Sequence, residues 1–142
     1  MIRSPENSAE WLAYYDLRYR VLRAPWGQVK GSEQSPDEAK HQHFAFFDEQ
    51  AKILGVGRLD LIDHQTAQIR FMAVDQDEQY NGIGKNLMRH MELAAKASGV
   101  QEIILHAREI ALPFYNKLGY QLVEKSHLLF GEIQHFLMRK KL

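Results

Sequence analysis

The chain has 142 residues, 45% of them apolar and 25% charged, with 18 Lys and Arg balanced by 18 Asp and Glu; this excludes a disordered polar segment and leaves no net field to hold a nucleic acid. It contains no cysteine, which removes disulfide frameworks, thiolate metal sites and cysteine nucleophiles together. No apolar run reaches the roughly 18 residues of a membrane span, and the first residues lack a signal peptide's apolar core, so the expectation is one soluble, cytoplasmic domain over residues 1–142 without a membrane partner.

Asn7 followed by Glu10 reads as a capping box. Trp11, Tyr14, Tyr15, Tyr19 and Leu22 then recur at helical spacing until Pro25 ends the pattern. Such an aromatic stripe reads as core packing. Residues 25–43 are polar and broken by Gly27, Gly31 and Pro36, with a short helix expected at 36–40. A loop this long in a compact domain is uncommon without a task, and covering a site is the task it suggests.

Strands are expected at 44–47, 53–61 and 67–74, the last two joined by a turn at 63–66. Gly55 and Gly57 inside the second point to a bulge or a close backbone approach. A helix follows at 83–98, with Leu87, Met91, Ala94 and Ala95 on one side and Gly99 past its end. Residues 102–106 read as a buried strand, 110–118 as a short helix stopped by Gly119, and 120–123, 128–130 and 133–138 as a closing pair of strands. The central strand–helix–strand unit predicts a right-handed crossover and a parallel pair, while the hairpins before it predict antiparallel pairing. The fold class is therefore α/β in the α+β sense, a mixed sheet with helices on its faces.

The chemistry-bearing segment runs from Ala73 to Lys85 and joins a strand end to a helix start through Gly82-x-Gly84. Glycines there let backbone N–H groups approach an anion, and the helix N-terminus adds partial positive charge. Two nucleotide readings fail on spacing. A Walker loop ending at Gly84-Lys85 needs Gly at 79 and Ser or Thr at 86, where the chain has Gln79 and Asn86. A dinucleotide fingerprint starting at Gly82 needs a small residue at 87, where the chain has Leu87.

Gln79-x-x-Gly82-x-Gly84 after an apolar strand resembles the pyrophosphate loop of the GNAT family, the Gcn5-related N-acetyltransferases. Phe114-Tyr115-x-x-x-Gly119-Tyr120 resembles the end of that family's late helix. Arg18 to Pro25 and Gly131-Glu132-Ile133-x-His135-x-x-Met138 resemble a branch of small bacterial members. The resemblance implies a mostly antiparallel sheet whose one central parallel pair, 67–74 with 102–106, splays into an acetyl-CoA cleft. It implies that Met72, Ala73 and Val74 offer backbone groups to the pantetheine arm as to an added strand. Gln79 and the amides of Asn81, Gly82, Ile83, Gly84 and Lys85 are implied to hold the diphosphate, with Tyr115 near the sulfur. Asp75, Asp77 and Glu78 depart from what such a loop needs, since carboxylates facing a diphosphate repel it. Arg108 and Glu109 stand where many members carry asparagine.

Acetyl transfer from acetyl-CoA to an amine needs a neutral amine, a stabilised oxyanion and a proton donor for the departing thiolate. Tyr115 is the expected acid, and an amide of Ala73 or Val74 suits the oxyanion. With no cysteine to carry an acyl group, direct transfer in a ternary complex is expected. His106, Glu132 and His135 compete for the role of base, and His135 is put forward. The pair His41 and His43 lacks the further ligands that a metal requires, so no metal is expected. The implied partner is a small-molecule or protein amine, with a homodimer left open. A CoA-binding regulatory module without turnover is the competing reading.

Overall fold

The computed structural model describes residues 1–79 and 81–142. Among them, seven strands form one sheet in the order β1-β2-β3-β4-β5-β7-β6. These are β1 (Ile2–Arg3), β2 (Gln42–Phe47), β3 (Ile53–Leu61), β4 (Thr66–Val74), β5 (Glu102–Arg108), β6 (Gln121–Leu129) and β7 (Ile133–Lys141). Only β4 and β5 run parallel; every other neighbouring pair is antiparallel. Helix α1 (Ser8–Leu22) precedes β2, α2 (Ile83–Ala97) links β4 to β5, and α3 (Leu112–Lys117) follows β5. The expected mixed sheet with one parallel pair is the observed one.

Helix α1 starts where Asn7 Oδ1 accepts the Glu10 amide at 2.9 Å. The return half of the capping box differs from expectation. Glu10 accepts the Glu6 amide at 2.9 Å and grips Arg3 through two bonds of 2.8 and 2.9 Å, which tie the helix start to β1. The aromatic stripe is also less buried than its spacing suggested. Tyr14, Leu17 and Arg18 are the buried residues of α1, while Trp11 and Tyr15 are half-buried against them. Tyr14 and Leu17 pack on Ala45, Phe47, Val56 and Ala73.

The other face of the sheet belongs to α2, whose Leu87, Met88, Met91 and Ala95 close on Leu59, Ala67, Ile69 and Ile103. Each fully buried aliphatic or Met side chain contributes about 1.5–3 kcal/mol. Two glycines make that approach possible. A Cβ on Gly55 would lie 2.7 Å from Ile83 Cγ2, and one on Gly57 2.7 Å from Met91 Cε. Glu92 then fastens α2 to the far strands by accepting Tyr120 O–H at 2.8 Å and Lys140 Nζ at 3.1 Å.

The helix expected at 110–118 is in fact a 3₁₀ turn (Glu109–Ala111) followed by α3, with Pro113 in the first turn, where its missing N–H does no harm. Residues 120–123 and 128–130 are not separate pieces but parts of one bulged strand, β6. Between α1 and β2 the chain is long yet anchored. Glu38 Oε2 accepts from Arg18 Nη1, Arg58 Nη1 and the Ser35 amide, each at 2.9 Å. Arg58 also makes a bidentate pair with Asp60 at 2.8 and 2.7 Å. Such pairs between buried groups fix geometry more surely than they add net stability.

Candidate active site

The site begins with a defect in β4. Its parallel pairing with β5 covers only Thr66–Glu102, Ala67–Ile103 and Gln68–Ile104. Just beyond, β4 uses three steps from Arg70 to Ala73 where β3 uses two from Arg58 to Val56. Phe71 absorbs the extra residue with a φ of 54°, a left-handed conformation that costs a bulky residue about 1–2 kcal/mol. A bulge bends its strand, and the two parallel strands separate. The wedge holds a cavity of about 260 Å³ lined by Ile69, Met72, Leu105 and Tyr115 among others.

One end of β4 leads into the start of α2. Gly82, at φ 77°, caps the helix without a side chain, and nothing lies within 4 Å of where its Cβ would be. The first intrahelical bond there runs from the Asn86 amide to the Gly82 carbonyl at 3.0 Å. The amides of Ile83, Gly84 and Lys85 precede it and are those left for an anion. The first turn of α2 carries no acidic residue. Asp75 turns away from this loop, accepting the Asp77 amide at 3.0 Å and lying 3.7 Å from Arg20 Nη2. Glu78 stays beside the loop and accepts Asn81 Nδ2 at 3.0 Å. The amide donors, the helix start and the redirected Asp75 fit a diphosphate, while Glu78 keeps one opposing carboxylate beside the loop.

Two of the expected loop residues have additional tasks. Gln79 Nε2 donates to the Val74 carbonyl at 2.9 Å, so this side chain braces the loop against the strand end. Gly84 admits α3, since a Cβ there would meet Phe114 Cζ at 3.1 Å. Of the strand residues, Ala73 and Val74 pair with Val56 and Gly55 on the β3 side, while their other edge has lost β5 to the splay.

Tyr115 is 8% exposed, lies edge-on to Phe114 and Tyr120 at 4.9 and 5.9 Å, and lines the wedge. Burial pushes its hydroxyl up to about 12, against an opposing pull from Arg108. His135 lines the same cavity from β7 and stands opposite Arg108 in the β5–β7 ladder. Its Nδ1 lies 3.0 Å from the Ile133 carbonyl. A carbonyl only accepts, so Nδ1 carries the proton and Nε2 holds the free lone pair of the neutral ring. Burial holds His135 below the usual histidine value, with the charges of His127, Arg108 and His106 acting in the same direction.

His106, on the same face of β5 as Arg108, contacts Ser126 Oγ through Nδ1 at 2.9 Å. It too is lowered, first by burial and then by His127 and Arg70. His127 joins the group because β6 uses three steps from Lys125 to Leu128 where β7 uses two from Phe136 to Gln134. Its ring stacks on His135 at 4.4 Å and lies 5.2 Å from His106. His127 was not foreseen because the bulge takes it out of the period-2 pattern of β6, and Arg23 because it closes the C-terminal end of α1, where no periodic pattern applies. Trp26, from the long loop expected to cover a site, borders the cavity, with Arg108 5.7 Å from its ring.

The remaining candidates sit elsewhere. Glu132 is exposed in the β6–β7 turn, outside the cavity lining. His41 binds Asp37 at 2.9 Å, and His43 lies between the Glu38 carbonyl at 2.7 Å and the Tyr14 hydroxyl at 2.9 Å. Among the described residues, no group of three His, Cys, Asp or Glu side chains is placed to hold a metal ion, and no helix is long and apolar enough to cross a membrane.

Residues 26–142 match the acetyltransferase (GNAT) domain family. Over 111 residues the chain is 30% identical to the uncharacterized N-acetyltransferase YjcF of Bacillus subtilis (strain 168), covering 77% of this chain and 78% of that protein. Its structure is similar to an aminoglycoside 6'-N-acetyltransferase complexed with coenzyme A, with a TM-score of 0.83 at 17% identity over 99% of this chain and 96% of that one. It is also similar to the ribosomal-protein-S18-alanine N-acetyltransferase of Escherichia coli, with a TM-score of 0.80 at 21% identity over 99% and 92%. At such identities the likeness shows the fold alone.

Proposed function

The chain belongs to the GNAT family of acetyltransferases, and we propose that residues 1–142 form one domain that moves the acetyl group of acetyl-CoA directly to a primary amine while both are bound. The observation that carries this reading is continuity. The open edge of β4 connects the anion-ready start of α2 to a cavity that holds both a protonated tyrosine and neutral histidines.

The amides of Asn81, Gly82, Ile83, Gly84 and Lys85 would take the diphosphate, and Gln79 would keep their loop in place. Met72, Ala73 and Val74 would border the pantetheine arm. When bound, the thioester supplies an electrophilic carbonyl and a sulfur leaving group. His135 Nε2 accepts the amine's proton as the C–N bond forms, and the amide of Val74, which strand alternation directs to the open edge while that of Ala73 faces β3, would face the oxygen that gains charge. As the C–S bond breaks, the Tyr115 hydroxyl donates a hydrogen bond to the departing sulfur. An acid pushed up to about 12 stays protonated at neutral pH. Full transfer to a thiolate of ordinary pKa about 8.5 is uphill, so its proton would cross late.

Release of free thiol from acetyl-CoA with a set of primary amines, together with mass detection of the acetylated amine, tests the reading. Acetylation of at least one amine is expected. Tight CoA binding with no amine acetylated would favour a regulatory module instead.

A further inference from the structure

We infer that the acceptor is a small primary amine that also carries an anionic group, a carboxylate or a phosphate, which the arginines of the wedge would hold. This rests on the acetyltransferase reading above and narrows its substrate. The cavity is bordered by Arg23, Arg70 and Arg108 and by His106, His127 and His135, and no Asp or Glu is among its lining residues.

The arginines are also short of partners. Arg23 donates to two backbone carbonyls, Ser32 at 3.1 Å and Leu22 at 3.0 Å, and lies 5.8 and 5.4 Å from the rings of Phe71 and Phe130. Among the described residues it has no carboxylate within 4.0 Å, and neither has Arg108. Arg70 lies 3.9 Å from Asp60, but Asp60 is already held by Arg58 through two shorter bonds. Three cations thus face a cavity with no anion of its own. The field is felt locally: burial first, then Arg18 and Arg70, weaken the hold of Arg23 on its proton more than Glu33, which lies outside the cavity lining, strengthens it. Arg70 and Arg108 likewise push His106 and His135 toward their neutral forms.

Such a cavity repels a polycationic amine and attracts one whose second group is negative. A planar guanidinium matches a carboxylate or phosphate through paired bonds. Size limits the acceptor as well. A volume of about 260 Å³ lies below the roughly 300–1,000 Å³ of pockets for drug-sized ligands, and the thioester end must share it. An amine of a few carbons with one anion fits that space.

The test uses the intact chain with saturating acetyl-CoA and matched amines: phosphoethanolamine against ethanolamine, β-alanine against propylamine, and spermidine. The anionic member of at least one pair is expected to show a kcat/KM about tenfold or more above its neutral match, as charge-assisted bonds allow. Whether phosphate or carboxylate is favoured identifies the source of the anion. Arg108→Gln should bring the two members of that pair together while leaving the Kd for CoA within about twofold. Equal rates within both pairs, or a preference for spermidine, would overturn the inference and leave the acetyltransferase reading standing. An equal loss of CoA affinity in Arg108→Gln would also overturn it by assigning that arginine to the cofactor. If no amine turns over, calorimetry with the CoA complex decides: phosphoethanolamine or β-alanine binding that Arg108→Gln abolishes supports the anion site while the transfer reading fails. Binding of neither overturns the inference.

Discussion

The Arg18 guanidinium, carried on α1, lies 4.3 Å from the centre of the Phe71 ring at the bulge of β4. Arg58 and Arg70 approach the same ring at 4.8 and 4.9 Å. A cation over an aromatic face gains about 0.5–2 kcal/mol, comparable with the cost of the left-handed backbone at Phe71. The ring therefore offsets the strain that opens the wedge.

Truncating this ring separates the two effects. Alanine in a strand is ordinarily better than glycine by about 0.5–1 kcal/mol. At Phe71 the order should reverse, because glycine accepts a φ of 54° without penalty whereas alanine retains the strain. Urea midpoints of Phe71→Gly and Phe71→Ala measure this. A less stable glycine variant would mean that the bulge relaxes once the ring is gone.

Glu38 anchors the segment between α1 and β2 through Arg18, Arg58 and Ser35. Glu38→Ala leaves two fully buried guanidiniums short of a partner and should cost about 3 kcal/mol. Burial alone would raise the Glu38 carboxyl, but the Ser35 amide and both arginines outweigh it and hold it below its ordinary 4.5. A lowered folded value means that this stabilisation is complete above the ordinary value and is lost as pH falls through the lowered one. Between pH 6 and pH 3, Glu38→Gln should therefore lose less stability than the parent chain. Parallel curves would assign the acid sensitivity to other carboxylates.

Much of this frame was legible in the sequence because the governing signals are local. The Asn7 cap, the two apolar strands flanking residues 63–66 and the Gly82-x-Gly84 helix start all fall where spacing put them. Gly55 and Gly57 marked a bulge or a close approach, and the strand has both: a register shift at Val56–Arg58 and α2 side chains against the two glycines. The interior of the site was less legible. No local pattern marks Arg18 as interior; partners 15 and 20 residues away in sequence hold it fully buried. Both bulges, at Phe71 and near His127, shift side chains out of the period-2 pattern. No motif in β4 or β6 marks them, because they arise from how neighbouring strands pair.

Lys85 tests the cofactor end with little packing at risk, since it is exposed in the first turn of α2. Lys85→Glu places a negative charge beside the proposed diphosphate and should weaken CoA binding about tenfold at low salt, less at high salt. The melting temperature should change little. Calorimetry at two ionic strengths reads it, and an unchanged Kd at both would remove the diphosphate from this helix start.

Tyr115→Phe deletes one hydroxyl from a well-packed ring. If that hydroxyl assists the departing sulfur, kcat should fall by about 10²-fold while the Kd for CoA stays near the parent value. A full rate in the phenylalanine variant, with chemistry limiting, would leave Tyr115 as a packing residue.

His135 makes the most specific claim, because its environment fixes a direction on the pH axis. Burial, with Arg108 and the neighbouring His127 and His106 rings acting in the same direction, outweighs the bond to the Ile133 carbonyl and holds its pKa below 6.5, so the neutral ring can accept a proton through Nε2. As pH falls through the lowered value the ring charges and the base is lost. The acid limb of kcat/KM should therefore turn below pH 6.5. In His135→Gln that limb should vanish and kcat should drop by about 10²–10⁴-fold. Arg108→Gln removes one of the charges that depress the ring, so its limb should move to higher pH, a shift that a merely structural arginine would not produce. If the limb persists unchanged in His135→Gln, the base is another group. His106 would then be the next residue to replace, since its proton affinity is lowered for the same reasons and it lines the same cavity.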